Sequence, residues 1–244
     1  MWKVITVSSS SSDKKALAPA APERLWPLPE KAAIFDFDGT VSDTASLWEE
    51  VDRAFLAKRT IPYTVDYPRQ LSALGFHEGA RYTVERYHLD EDPDDIVEEW
   101  MHMSRALYIT KAVLRPGVAE YLEALQRAHI PYALATTNTP DLLESMHRID
   151  IQKWFPVKVY GQEVARSKAF PDIYEETAKR LGVAPSDCIV FEDLAEALLS
   201  AHRAGCTTCA VCSGDALQDT NEVRRIADIY LEDWRDIPLG TATL

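Results

Sequence analysis

The run Ile34-Phe35-Asp36-Phe37-Asp38-Gly39-Thr40-Val41-Ser42-Asp43 constrains this chain more than any other, because a hydrophobic segment ends there in two carboxylates, a glycine and hydroxyls. Such a segment reads as a buried strand running out into a loop. Side chains alternate faces along a strand, which puts Asp36 and Asp38 on one side and Phe35 and Phe37 on the other. Two like charges in one small volume repel, so the pair points either to a shared proton or to a hard divalent cation between them. Gly39 permits a tight turn with exposed backbone N–H groups. Taken alone, Asp-x-Asp is more ordinarily a solvated turn with a helix cap, and Ser42-Asp43-Thr44 is itself a helix-start signal.

After Asp43 the chain turns helical: Leu47, Trp48, Val51, Phe55 and Leu56 recur at steps of three and four. Further helical stretches are expected near 69–75, 77–88 and 94–110, and Arg115-Pro116-Gly117 makes a turn before the next helix. The second clear strand, Pro131 to Thr137, begins 95 residues after Asp36, whereas a strand–helix–strand unit needs only about 30. The surplus predicts an inserted helical module over 45–112, with 31–44 and 113–244 forming the core. Beyond Thr137 the pattern alternates: a helix over 141–148, a strand Val157–Tyr160, a helix over 173–181 and a strand Cys188–Phe191. A helix over 195–203, a strand over the cysteine segment, a helix near 221–226 and a strand Asp228–Leu231 complete it. Alternation with short connections predicts an α/β chain with a parallel sheet covered on both faces, and ligands in such folds bind beyond the carboxyl ends of the strands.

The length of 244 residues suits one large domain, or one domain with an insertion. With 26 Lys plus Arg against 39 Asp plus Glu, the formal net charge of −13 argues against nucleic acid or an anionic membrane as partner. There is no apolar run of membrane-spanning length. Residues 1–30, with five consecutive serines and then an Ala/Pro-rich stretch, read as a flexible arm. Cys206, Cys209 and Cys212 have a C-x-x-C-x-x-C spacing that could hold a metal, but they fall on a β-prone run where small thiols pack well. With Cys188 they are expected as free thiols in a reducing cytoplasm.

Polar groups stand at the carboxyl end of each core strand: Asp36 and Asp38, then Thr136-Thr137-Asn138, then Glu192-Asp193. The hydroxyls and amides of Thr136 and Thr137 can donate to phosphate oxygens, although the same segment also suits a turn and helix cap. Glu192 and Asp193 bring the carboxylates to four, and magnesium, a hard ion that joins carboxylates to phosphates, is the fitting counter-cation. Lys168, in Lys-Ala-Phe-Pro-Asp before a helix, would by itself be read as a surface charge.

Together, Asp36-Phe37-Asp38-Gly39-Thr40, Thr136, Lys168 followed by Pro171-Asp172, and Glu192-Asp193 resemble the four ordered signatures of the haloacid dehalogenase-like (HAD) phosphohydrolases. The resemblance covers approximately residues 31–235. It implies a Rossmann-like core with an α-helical cap inserted between the first and second signatures, as in the subgroup with phosphoglycolate phosphatases and β-phosphoglucomutases. It further implies hinges near 42–45 and 113–117, and an Mg2+-dependent phosphatase acting on a small phosphorylated metabolite through an aspartyl-phosphate. In that scheme Asp36 is the nucleophile and Asp38 the acid/base. Gly39, Thr136, Thr137 and Lys168 hold phosphate, and Asp36, Asp38 (through its carbonyl), Glu192 and Asp193 hold the metal. Mutases of the family carry histidine ten residues after the acid/base aspartate, where this chain has Trp48, which favours a phosphatase; a mutase or an inactive phosphate-binding protein are the alternatives. Leu194 and Ala169 replace the usual serine and proline. Arg69 and Arg81 are candidate contacts for a second anionic group on the substrate. A monomer or small homo-oligomer is expected.

Overall fold

The computed structural model describes residues 20–71, 74–215 and 218–239. Along the chain, β1 (Ala32–Phe35) leads into the helices α1 (Ala45–Lys58), α2 (Asp66–Leu71), α3 (Phe76–Tyr87) and α4 (Pro93–Lys111). Then come α5 (Val118–Arg127), β2 (Tyr132–Thr136), α6 (Pro140–Glu144), α7 (Ile151–Trp154), β3 (Val157–Tyr160), α8 (Asp172–Leu181) and β4 (Cys188–Glu192). The chain continues through α9 (Ala195–Ala204), β5 (Thr207–Val211), α10 (Thr220–Ile226) and β6 (Ile229–Leu231).

These six strands pair in parallel, in the order β3-β2-β1-β4-β5-β6. β1 sits at the centre because Ala32, Ala33, Ile34 and Phe35 are apolar on both faces and can be covered on both. Ala33 and Phe35 face a core built with Tyr121, Leu122 and Leu125 of α5. Ala32 and Ile34 face the opposite core, with Ile173, Tyr174 and Ala178 of α8 and Ala201 of α9. Phe35 stacks on Phe191 at 4.8 Å between ring centroids, with Tyr121 and Trp234 edging the pair. The strand order reverses between β1 and β4, so the crevice at the carboxyl ends of β1, β2 and β4 is where a doubly wound sheet opens to a ligand.

The helices α1 to α4 enclose a separate apolar cluster of Val51, Phe55, Leu56, Tyr67, Ala80, Ile96 and Trp100. Trp48 and Leu107 touch both this cluster and the sheet's. The two chain crossings between the parts run side by side. Ser42 bridges Leu114, and its hydroxyl donates to the Val113 carbonyl at 2.8 Å.

Three expectations need correction. The arm does not extend to residue 30: Ala20 pairs with Ile229, Pro22–Leu25 forms a 3-10 turn, and Leu25 is fully buried, its carbonyl accepting from Tyr121 Oη. Burial of Leu25 and Leu28 holds this segment to the core; residues 1–19 lie outside the described residues. The helix expected over 141–148 stops at Glu144, because Met146 and Ile149 leave it to enter the core, and a further short helix, α7, comes next. β1 ends at Phe35, before the carboxylates, and a tight turn takes over there, with the Val41 and Ser42 amides both donating to the Phe37 carbonyl. No helix among the described residues is long and apolar enough to cross a membrane.

Candidate active site

Asp36 is the first residue beyond β1, and its amide still donates to the Phe191 carbonyl of β4, so the sheet itself holds the carboxylate in place. Lys168, delivered by the turn before α8, lies between Asp36 and Glu192; Nζ bonds Asp36 Oδ1 and reaches Glu192 Oε1 at 2.5 Å. All three side chains are buried. Glu192 is held from several directions: Oε2 accepts the Asp193 and Leu194 amides at 3.0 and 3.2 Å, and Oε1 accepts Tyr174 Oη at 3.3 Å. Leu194 thus keeps the backbone donor of its position without a serine hydroxyl.

One oxygen each from Asp36, Glu192 and Asp193 falls within a 4.8 Å span. Burial pushes the Asp36 carboxyl up to about 7, with Lys168 opposing and Glu192 and Asp38 adding to the rise. Asp193 is driven well above the ordinary carboxylate range by burial, then by Glu192 and Asp36. Burial alone would lower the Lys168 amine, but Asp36 and Glu192 more than offset it and raise it. One ammonium among these buried acids leaves an excess of negative charge, and an all-oxygen donor set of this kind suits a hard divalent cation. The cysteine segment forms no such group among the described residues; Cys188, Cys206 and Cys209 are buried free thiols.

The Asp38 carboxylate does not join the three-carboxylate group, contrary to the expectation from strand alternation. The turn after Phe37 reorients it, and three donors take it up: Thr44 Oγ1 and Tyr108 Oη on Oδ1, and Asn138 Nδ2 on Oδ2 at 2.5 Å. Trp48 Nε1 donates in turn to Tyr108 Oη at 2.8 Å, so residues of α1 and α4 hold Asp38 from the cap side. Burial raises the Asp38 carboxyl, opposed by Thr44, Tyr108 and Asn138. Thr44, expected to cap α1, makes no side-chain cap and gives its hydroxyl to Asp38 instead.

Gly39 also differs from expectation. Its N–H is taken by the Ser42 carbonyl at 2.9 Å, so it is not free to donate to phosphate. What requires glycine is space and conformation: φ is +75°, and a Cβ would lie 2.3 Å from Asp193 Oδ2. Gly39→Ala is therefore expected to destabilise the protein by about 1–3 kcal/mol and to lower turnover by displacing Asp193. Urea unfolding with a matched activity assay checks this, and an unchanged midpoint would show that the loop relaxes freely.

Thr136 ends β2, buried; its Oγ1 accepts the Asn138 amide at 3.1 Å and keeps its own proton to donate. Thr137 and Asn138 line a cavity of about 180 Å3 that also exposes Asp36, Asp38, Lys168 and Asp193. Trp48 lines it from the cap side, whereas neither Arg69 nor Arg81, the candidate contacts for a second anionic group, does. Arg81 pairs with Glu78 on the surface, and Arg69 lines a neighbouring cleft. Tyr108 carries no signal in the chain, lying 70 residues from Asp38. Asn138 had one, its place at the end of a core strand. Arg115 was legible only as part of a turn, yet its guanidinium bonds the Gly39 and Cys212 carbonyls, tying the first loop to the end of β5.

A family model described as haloacid dehalogenase-like hydrolase matches residues 33–211. The chain belongs to this family. It is 32% identical over 177 residues to a phosphorylated carbohydrates phosphatase of Thermotoga maritima, covering 72% of this chain and 82% of that one. It is 29% identical over 206 residues to a phosphoglycolate phosphatase of Xanthomonas campestris, covering 83% and 92%. CbbY from Rhodobacter sphaeroides, solved in complex with phosphate, superposes with a TM-score of 0.71 at 26% identity, covering 86% of this chain and 96% of that one. The chain is thus a hydrolase whose relatives include phosphatases, built on the family's α/β core.

Proposed function

We infer that the protein is a magnesium-dependent phosphatase that cleaves a small phosphate monoester through an aspartyl-phosphate on Asp36. The observation that carries this reading is the separation of two carboxylates at one cavity. Asp36 is pinned by Lys168 beside the other acids, while Asp38 is held apart by three neutral donors.

Asp36 attacks phosphorus through a carboxylate oxygen, forming a P–O bond as the ester P–O bond breaks. Asp38 gives its proton to the departing alkoxide, and the raised pKa suits an acid that must be protonated at that moment. The same carboxylate then accepts a proton from the water that attacks the acyl-phosphate, which releases inorganic phosphate and restores Asp36. Tyr108, Thr44 and Asn138 fix the orientation of Asp38 throughout. Lys168, with donors from Thr136 and Thr137, holds the phosphoryl oxygens. Asp36 and Asp193 would hold magnesium together with the Asp38 carbonyl, with Glu192 alongside and anchored by Lys168 and Tyr174. When bound, the ion supplies positive charge that offsets the acids and the transferring phosphoryl group. Trp48, bonded to Tyr108 where mutases carry histidine, supports hydrolysis over mutase chemistry.

The test is phosphate release from p-nitrophenyl phosphate, phosphoglycolate and several sugar phosphates, with EDTA and with added magnesium. Release should fall by at least roughly 100-fold on chelation and return with magnesium. Release that ignores chelation would overturn the metal assignment, and no release from any ester would overturn the phosphatase reading.

A further inference from the structure

Two acids that line the cavity, Asp52 on the cap side and Asp215, have no part in this reaction. Asp52 lies one helical turn beyond Trp48 on α1, so the two share a face, and both line the cavity. Asp52 is only 6% exposed, yet no hydrogen bond or ion pair reaches its carboxylate from the described residues. Arg53, the next residue along, is committed elsewhere: it bonds Glu49 and stacks 3.8 Å over the Tyr63 ring. Burial, then Glu49, pushes the Asp52 carboxyl up to about 7.

The surrounding wall is apolar, formed by Trp48, Pro68, Leu71, Phe76 and Trp100. Among the described lining residues the single cation is Lys168, and it is spent on Asp36 and Glu192. The Asp52 carboxylate is on the cavity lining with no protein donor, so its hydrogen bonds are left to whatever enters the cavity.

We propose that Asp52 recognises the leaving group by accepting a hydrogen bond from one of its hydroxyls, and so selects phosphate esters of uncharged, polyhydroxylated alcohols. This rests on the phosphatase reading and names its substrate class: sugar or sugar-alcohol phosphates, not esters bearing a second anion. A second carboxylate or phosphate in the cavity would meet Asp52 with no lining cation to compensate. An uncharged sugar instead offers C–H faces to the rings of Trp48 and Trp100 and O–H groups to the acid. A hydroxyl can donate to a carboxyl in either protonation state, whereas an ammonium gains strongly only from the ionised form; the elevated Asp52 carboxyl therefore favours the hydroxyl. The volume of about 180 Å3 is that of a small-metabolite site, below the roughly 300–1,000 Å3 of drug-sized pockets.

The experiment compares kcat/KM for glucitol 6-phosphate, glucose 6-phosphate, phosphoglycolate, 2-aminoethyl phosphate and p-nitrophenyl phosphate in the wild type, Asp52→Asn and Asp52→Leu. The wild type should prefer the two hydroxyl-rich esters. In Asp52→Leu the ratio of glucitol 6-phosphate to p-nitrophenyl phosphate should fall at least tenfold, chiefly through KM, and Asp52→Asn should recover part of it. Phosphoglycolate should gain relative to the sugar esters in both variants. The inference is overturned if Asp52→Leu lowers all esters by the same factor, if the ratio does not move, or if the wild type prefers phosphoglycolate or 2-aminoethyl phosphate. Hydrolysis of p-nitrophenyl phosphate by the wild type without preference for sugars sinks this inference and leaves the phosphatase reading standing; hydrolysis of nothing sinks both.

Discussion

Asp36→Asn should abolish turnover, by roughly 10,000-fold or more, because it removes the attacking oxygen and not merely a contact. The fold should survive, since asparagine is isosteric and its amide oxygen can still accept from Lys168. In metal-free protein near pH 8 the variant should be no less stable than the wild type. The sign comes from the raised Asp36 carboxyl, which moves from 3.8 to about 7 in the folded chain. Between those values the native state binds more protons than the unfolded one, so stability falls as pH rises and the buried carboxylate ionises. Removing that charge removes the penalty, while loss of the ion pair with Lys168 acts the other way. Phosphate-release kinetics and thermal unfolding in EDTA decide the matter. Residual activity within tenfold of wild type would mean that another group is the nucleophile.

The second large effect is on stability. Lys168→Met keeps the length of the side chain but leaves Asp36 and Glu192 buried without their cation. Breaking a buried pair by removing one partner costs about 3–5 kcal/mol. Lys168 is charged throughout the working range: its folded pKa is raised above 10.5, so its contribution is fully present below that value and is lost only at higher pH. The loss should appear in urea melts of the metal-free protein as a lower midpoint with an unchanged slope, and added magnesium should recover part of it. Activity should fall as well. A change of under 1 kcal/mol would show that Tyr174 and the two amides on Glu192 suffice without the lysine.

Much of the architecture was readable because it rests on local pattern. Runs such as Ala32–Phe35, Tyr132–Thr136 and Cys188–Glu192 are apolar on both faces, which only a covered parallel strand tolerates, and each ends in polar residues that share one rim. The helical insertion was legible from its length and its three-and-four spacing. Leu25 and Leu28 were misread with the arm because the partners that bury them lie far along the chain.

The residue types of the site were determined by the sequence itself: Asp36, Asp38, Glu192 and Asp193 stand at strand ends that local pattern reveals, while Lys168, a surface charge by local pattern, is marked only by its resemblance to the family's signature. Their division of labour was decided by the tertiary structure. Whether Asp38 joins the acid cluster or turns toward Tyr108 depends on a turn of a few residues and on a hydroxyl 70 positions away. Whether Gly39 donates its amide to a ligand or makes room for Asp193 depends on the Ser42 carbonyl that takes the amide and on an Asp193 oxygen lying 2.3 Å from where a Cβ would sit, neither of which spacing encodes. Asp52 reads in the chain as one more acid on a charged helix, and becomes distinctive only where folding buries it against an apolar wall without a partner. The physical reason is common to all three. Local propensity is set by neighbours a few residues away, whereas the charge state and partners of a buried group are set by whatever the fold brings within a few ångströms of it.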